Sequence, residues 1–193
     1  MSFIVAFITK DAIVMAADKR ETFVDGSGYG DTCRKIHKKE NGLYGMTGSG
    51  ELIKYFEQND KSYSIDDFIK YSNEFFKNLD DTKSVKETYE NWIRQKFDLS
   101  LVTAGILDEK PFVSLHQIKW NEQGFLYGSV SSTRKVPCFL MPEKGADFVE
   151  NSILKNHPDT IEDAREVIDF LMKKVSGLNI EVSPEYDIEI LKL

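Results

Sequence analysis

Two short, uninterrupted apolar runs near the N-terminus constrain the fold more than any other feature of this sequence. Phe3–Ile8 and Ala12–Ala17 contain no polar residue, and only the polar residues 9–11 separate them. A strand with one face in water alternates polar and apolar residues, whereas a continuous apolar run is typical of a strand buried on both faces. The two runs therefore predict a hairpin inside a layered structure, covered by other elements on each side.

Helix signals occur in two pairs along the chain. One helix is predicted to begin near Glu51, and a second to run over 64–79, where Ser64 and the aspartates after it form a capping signal. The other pair is predicted at about 146–156 and 161–175, with a capping signal at Thr160 and with Gly177 as the stop of the last helix. The segment 85–97 fits either a short helix or an irregular excursion.

The remaining apolar segments predict strands, so that groups of strands alternate with helix pairs. The further predicted strands are 34–36, 43–46, 99–107, 112–120, 124–128, 136–141, 180–182 and 188–191, with a turn at 108–110. Two antiparallel sheets packed face to face, with a helix pair outside each, would bury all of these apolar faces. The order predicts an α+β fold, a four-layer αββα sandwich, built as a single domain over 1–193.

Charge and cysteine content exclude several classes of protein. The 193 residues include 25 basic and 32 acidic side chains, a net charge of −7, which argues against nucleic acid or an anionic membrane as a partner. The apolar runs are too short to span a bilayer, and the N-terminus lacks the basic start of a signal peptide. Cys33 and Cys138 have no CxxC spacing, and His37, His116 and His157 are scattered. We therefore expect no disulfide, metal or other cofactor, and a cytoplasmic location.

Four segments near the N-terminus carry a resemblance to a known family. Ser2–Ala6 and Asp11–Arg20 stand where the family has T-T-I-V and then D-G-V-V-x-A-A-D-x-R. Lys35-Ile36 occupies the place of its K-I or K-V pair, and Thr47–Gly50 is similar to its S-G-S-A turn before the first helix. On these residues the chain resembles proteasome β-type subunits and HslV peptidases. The resemblance implies the N-terminal nucleophile hydrolase fold, which is the αββα sandwich predicted above.

The resemblance also implies that the protein cleaves peptide or other amide bonds. Ser2 would be the nucleophile after removal of Met1, and its own free α-amine would act as the general base. Lys35 would lower the pKa of that amine, and Asp18 would hold the lysine in place. Gly48 would offer a backbone N–H to the oxyanion. Without the resemblance these residues have ordinary explanations as a strand end, part of a basic surface stretch and a turn.

Two distal positions differ from the family pattern. Within 144–148, a weak match to G-S-G-A-D-F-A, Lys144 replaces the serine that supports the amine. In the stretch similar to D-x-x-S-G, Ser176 matches the serine and is a further candidate site residue, but Lys173 replaces the aspartate. A catalytically inactive member that serves as a structural, assembly or binding subunit is therefore the alternative, and a hydrolase of small amides is a third interpretation.

Assembly is the last expectation that the resemblance carries. Family members build rings, so we expect a homo-oligomer, most simply a cyclic one. Tyr71, Phe75 and Phe76 of the predicted helix 64–79 are aromatic residues that could mediate subunit contacts. The sequence indicates neither the ring size nor an ATPase partner.

Overall fold

The computed structural model describes residues 2–22, 28–39, 42–48, 53, 58, 98–121, 124–132, 138–140 and 145–193. Its strands are β1 (Ile4–Ile8), β2 (Ala12–Asp18), β3 (Glu21–Thr22), β4 (Tyr29–Gly30), β5 (Ile36–Lys39), β6 (Gly42–Gly48), β7 (Asp98–Leu107), β8 (Lys110–Asn121), β9 (Gly124–Ser132), β10 (Cys138–Leu140) and β11 (Tyr186–Lys192). Two helices are bounded in the described part, α1 (Ala146–Lys155) and α2 (Ile161–Leu178).

The strands β1 and β2 form the predicted hairpin at the centre of a four-stranded antiparallel sheet. The strand order is β10-β1-β2-β11. In the hairpin Ile4 lies opposite Ala17 and Ile8 lies opposite Ile13. Every residue of both strands is buried, and because successive side chains point to opposite faces, both faces of the hairpin must be covered. The prediction of a doubly buried hairpin is confirmed.

The two faces of this sheet belong to different hydrophobic clusters. Val5 lies in a cluster with Val149 of α1 and Ile168 of α2, so one face packs against the helices. Its neighbour Ile4 lies in a second cluster with Val102 of β7, so the other face packs against a second sheet. Helices, sheet and sheet therefore form three successive layers, each sharing a dry core with the next.

The second sheet has five strands in the order β5-β6-β7-β8-β9. Only the residues between Leu107 and Lys110 connect β7 to β8, as the sequence predicts. Asp108 and Glu109 adopt φ angles of 50° and 62°, the left-handed conformation that two-residue hairpin turns require. The predicted strands 99–107, 112–120 and 124–128 are confirmed as strands, the last of them longer than expected.

Two predictions near the C-terminus are wrong. Gly177 does not end α2, which continues to Leu178 with Asn179 as its C-cap. A glycine lowers helix stability but leaves the backbone hydrogen bonds intact, so neighbouring residues can carry the helix past it. The segment 180–182 is a turn and not a strand, and Val182 N–H donates to the carbonyl of Asn179 at 3.1 Å.

The start of α2 agrees with the sequence. Thr160 Oγ1 accepts the N–H of Asp163 at 3.1 Å, and the carboxylate of Asp163 accepts the N–H of Thr160 at the same distance. This is a complete capping box, which satisfies N–H groups that have no partner inside the helix.

The two antiparallel sheets and the helix pair confirm the predicted α+β sandwich class. The helix pair expected between 51 and 79 lies outside the described residues, except that Ile53 and Gln58 are helical. The segment 85–97 is also outside them. Neither α1 nor α2 is long and apolar enough to cross a membrane.

The chain divides into two compact units. The first comprises Met1–Met46, Leu101–His116 and Ser129–Leu193, and the second comprises Thr47–Ser100 and Gln117–Gly128. A single domain over 1–193 stays a prediction. The contacts of the Asp18 site described next all lie within the first unit.

Candidate functional site

The carboxylate of Asp18 is the centre of the candidate site. It ends β2 and is completely buried. Its Oδ1 accepts the N–H of Phe3 at 2.7 Å and the ammonium of Lys35 at 2.9 Å. Its Oδ2 accepts the N–H of Arg20 at 2.9 Å and the N–H of Ser183 at 3.3 Å. Four donors on two oxygens satisfy the carboxylate in its charged form, which makes burial of an ionised group tolerable.

The β1–β2 hairpin places this carboxylate beside Ser2. Asp18 N–H donates to the carbonyl of Phe3 at 3.1 Å, one step beyond the last paired residues of the hairpin. The side chain of Asp18 then accepts the N–H of Phe3, a donor that would otherwise be left over at the strand end. That N–H belongs to the peptide bond between Ser2 and Phe3, and Ser2 itself is only 8% exposed. The N-terminal end of β1 is thereby fixed on Asp18.

Lys35 reaches the site from the start of β5, an edge strand of the second sheet. It directly precedes β5, and its carbonyl accepts the N–H of Met46 at 3.1 Å, so the β5–β6 pairing fixes its backbone. Its side chain is 6% exposed and ends on Asp18. Burial lowers the pKa of the Lys35 ammonium, and the charge and hydrogen bond of Asp18 oppose that effect. Lys35 is thus a buried cation that gives up a proton more readily than an exposed lysine.

An arginine–aspartate pair lies next to this centre. Arg20 donates from Nε to Oδ1 and from Nη2 to Oδ2 of Asp31, each at 2.7 Å. Its third nitrogen donates to the carbonyl of Ile180, and the guanidinium lies 3.8 Å from the ring centre of Tyr29. The hydrogen bond from Arg20 lowers the pKa of Asp31, and a hydrogen bond with Ser183 acts in the same direction. This two-point geometry matches the planar fork of guanidinium to the carboxylate.

The structure brings Asp18 and Lys35 together at the start of β1, as the resemblance implies, while their catalytic roles stay predictions. Gly48 ends β6 with a φ of 135°, a conformation that favours glycine. Ser176 lies in α2, where its Oγ donates to the carbonyl of Lys173 at 3.1 Å. Ser183, and not Ser176, is the serine whose N–H contacts Asp18. Lys144 lies outside the described residues.

Three residues of the site received no role from the sequence. Arg20 belongs to the Asp11–Arg20 run that carries the family resemblance, so its position was a usable signal. Asp31 and Ser183 had none, because one acts through a salt bridge to Arg20, 11 residues earlier in the chain, and the other through a backbone N–H. Among the described residues, no group of His, Cys, Asp and Glu side chains is arranged to hold a metal ion.

Comparison with known proteins is informative at the level of structure. No family profile matches the chain, and no curated protein is similar enough in sequence to count as a relative. HslV from Trypanosoma brucei superposes with a TM-score of 0.59 and 14% identity, covering 99% of each chain. Anbu, an ancestral β-subunit, from Yersinia bercovieri superposes with a TM-score of 0.59 and 14% identity, covering 98% of this chain and 82% of the other. A Gly-1 mutant of Anbu from Hyphomicrobium sp. strain MC1 superposes with a TM-score of 0.58 and 14% identity, covering 100% of this chain and 82% of the other.

These similarities extend over nearly the whole chain, so they concern the complete fold and not a shared fragment. At 14% identity they show the fold alone. The chain has the fold of the proteasome-like N-terminal nucleophile hydrolases.

Proposed function

We propose that this protein is a proteasome-like N-terminal nucleophile hydrolase of peptide or other amide bonds, with Ser2 as its nucleophile once Met1 has been removed. The observation that carries the proposal is the buried Lys35–Asp18 pair, whose carboxylate also binds the Ser2–Phe3 peptide. The fold that the chain shares with HslV and Anbu supports the same class.

Each group of the proposed site has a chemical task. Ser2 Oγ attacks the carbonyl carbon of the substrate, and the α-amine of Ser2 takes the hydroxyl proton. An ester forms, the amine half of the substrate leaves with that proton, and a water activated by the α-amine then hydrolyses the ester. The positive charge of Lys35 keeps more of the α-amine in its free-base form near neutral pH, and Asp18 holds Lys35. We assign the oxyanion to the N–H of Gly48, and no step to Ser176.

The test begins by removing Met1 with a co-expressed methionine aminopeptidase and verifying the intact mass. The processed protein is then assayed with a panel of peptide amides that release a fluorescent amine. We expect slow hydrolysis that is lost in Ser2→Ala and retained in Ser2→Thr, the control that keeps a hydroxyl at this position. Equal rates for Ser2→Ala and the parent would remove Ser2 from the mechanism.

An inactive structural or assembly subunit is the second candidate, and one observation favours it. Lys173, at the place of the family's aspartate, pairs with Asp169 at 2.6 Å, with 67% and 45% of the two side chains exposed. The carboxylate that the family pattern has at this position is therefore replaced by a cation engaged on the surface of α2. Quantitative retention of Met1 in protein isolated from its native host would favour the inactive subunit, because the nitrogen of Ser2 would then be an amide. Turnover of small amides but of no peptide would favour the third interpretation.

We further propose a homo-oligomer, most simply a ring, in the cytoplasm. Three large apolar side chains on α2 and just after it are exposed, with Phe170 at 45%, Leu178 at 43% and Ile180 at 73%. Exposed apolar side chains of this size are candidates for subunit contacts. The predicted contact residues Tyr71, Phe75 and Phe76 lie outside the described residues.

A further inference from the structure

Arg20 is a nearly buried cation that joins two distant segments of the chain. Its side chain is 9% exposed, which is unusual for an arginine unless its donors are paired. The guanidinium binds Asp31 with two hydrogen bonds and also the carbonyl of Ile180. The face of Tyr29 covers it. Arg20 therefore holds residues 29–31 and residue 180 in fixed positions relative to the end of β2.

Each of these segments is followed, within a few residues, by a donor to the Asp18 carboxylate. Asp31 stands four residues before Lys35, and Ile180 stands three residues before Ser183. Lys35 donates its ammonium to Oδ1, and Ser183 donates its N–H to Oδ2. Because these tethers are short, a shift of either segment would change the geometry of a donor to Asp18.

The contacts also close a ring of interactions. The side chain of Arg20 binds the carbonyl of Ile180, three residues before Ser183. The N–H groups of Ser183 and of Arg20 both bind Oδ2 of Asp18. Arg20 thus contributes its backbone to the carboxylate that holds Lys35, and its side chain to the loop from which Lys35 extends.

We propose that the Arg20–Asp31 ion pair is a positioning clamp that holds the Lys35 ammonium against Asp18. The clamp touches neither the substrate nor the nucleophile in the proposed reaction, and its relevance to catalysis rests on the proposed function. Its effect on Lys35 does not, because the position of Lys35 can be measured whether or not the protein hydrolyses anything.

The pKa of Lys35 tests the clamp, because it would not change if the Arg20–Asp31 pair only stabilised the fold. Lysine labelled with carbon-13 at Cε reports the titration of each ammonium by NMR, and the Lys35 signal is the one lost in Lys35→Arg. In the parent, burial holds the pKa of Lys35 below its ordinary value. Release of the loop exposes Lys35, so we expect its pKa to rise toward the ordinary value in Arg20→Gln and in Asp31→Asn.

The two variants separate release of Lys35 from a simple change of charge. The charge of Asp31 raises the pKa of Lys35, so removing that charge without moving the loop would lower it. A rise in Asp31→Asn therefore requires release. A fall or no change in Asp31→Asn overturns the clamp, and this variant decides alone if Arg20→Gln does not fold.

Arg34→Gln is the matched control. Arg34 is adjacent to Lys35 and pairs with Glu189 at 2.6 Å, but it is 59% exposed and has no contact in the ring. We expect the titration of Lys35 to be unchanged in this variant, and an equal rise there would also overturn the clamp.

In an active preparation, Asp31→Asn should lower kcat more than it raises KM, because the nucleophile would lose its ordered lysine. Shifted titration without activity in the parent would leave the clamp standing and count against the proposed hydrolase.

Discussion

The Lys35 ammonium lies 2.9 Å from Oδ1 of Asp18, and the two side chains are 6% and 0% exposed. Removing two charges from water is costly, and their attraction offsets that cost only where the remaining hydrogen-bonding positions are filled. On Asp18 these positions are filled by the backbone N–H groups of Phe3, Arg20 and Ser183. Phe3 and Ser183 belong to opposite ends of the chain. The pair therefore depends on the fold around it as much as on its own contact.

Asp18→Asn should be strongly destabilising. The substitution keeps the shape of the side chain but leaves the Lys35 cation buried without its counter-charge, which costs about 3–5 kcal/mol in comparable cases. Urea unfolding of parent and variant measures the difference. Asp187→Asn is the matched control, since Asp187 pairs with Lys19 at 3.0 Å but with 30% and 31% exposure. The loss of unfolding free energy in Asp187→Asn should be below about 1 kcal/mol. Similar losses for the two variants would contradict our account of Asp18.

Lys35 should make stability depend on pH in the alkaline range. Burial lowers its pKa in the folded protein below the ordinary value of 10.5, so between these two values the unfolded chain binds more protons than the native state. The contribution of Lys35 to stability therefore rises with pH through that window and is constant below it. We expect the unfolding free energy of the parent minus that of Lys35→Met to increase as pH approaches 10.5. If this difference falls over the same range, the pKa of Lys35 is raised in the folded protein and not lowered.

Two glycine-to-alanine substitutions should have opposite effects. A Cβ on Gly45 would lie 2.9 Å from Cγ2 of Ile36 and 3.2 Å from Cδ1 of Ile4, inside the contact between the two sheets. Overpacking of this kind costs about 1–3 kcal/mol. Gly177 lies within α2 and has nothing within 4 Å of the added atom, so Gly177→Ala should stabilise by about 0.5–1 kcal/mol. Thermal unfolding of the two variants measures both signs, and stabilisation by Gly45→Ala would refute the close approach of the sheets.

Light scattering at micromolar concentration tests the assembly. We expect a mass several times the 22.1 kDa of one chain, because exposed apolar residues such as Ile180 favour burial between subunits. A single species at 22.1 kDa would defeat the ring. It would also weaken the peptidase proposal, because the active site would not be enclosed.

The helix boundaries show how far local patterns reach. The capping box at Thr160 is local, since it spans only the four residues 160–163, and was predictable. The end of α2 was not, because Gly177 is tolerated where the following residues continue the backbone hydrogen bonds. The segment 180–182 has the apolar character of a strand, yet Arg20 binds the carbonyl of Ile180 in a turn. Tertiary contacts overrode propensity at that position.

The sequence by itself determined the doubly buried hairpin and the candidates Asp18 and Lys35. Hydrophobic periodicity and a family-like run of residues are properties of neighbours along the chain, and they can be seen without a structure. Only the tertiary structure decided that Ser183 binds Asp18 and that Arg20 binds Asp31. A backbone N–H is common to every residue except proline and has no sequence signature, so its partner is defined only when segments 165 residues apart are brought together.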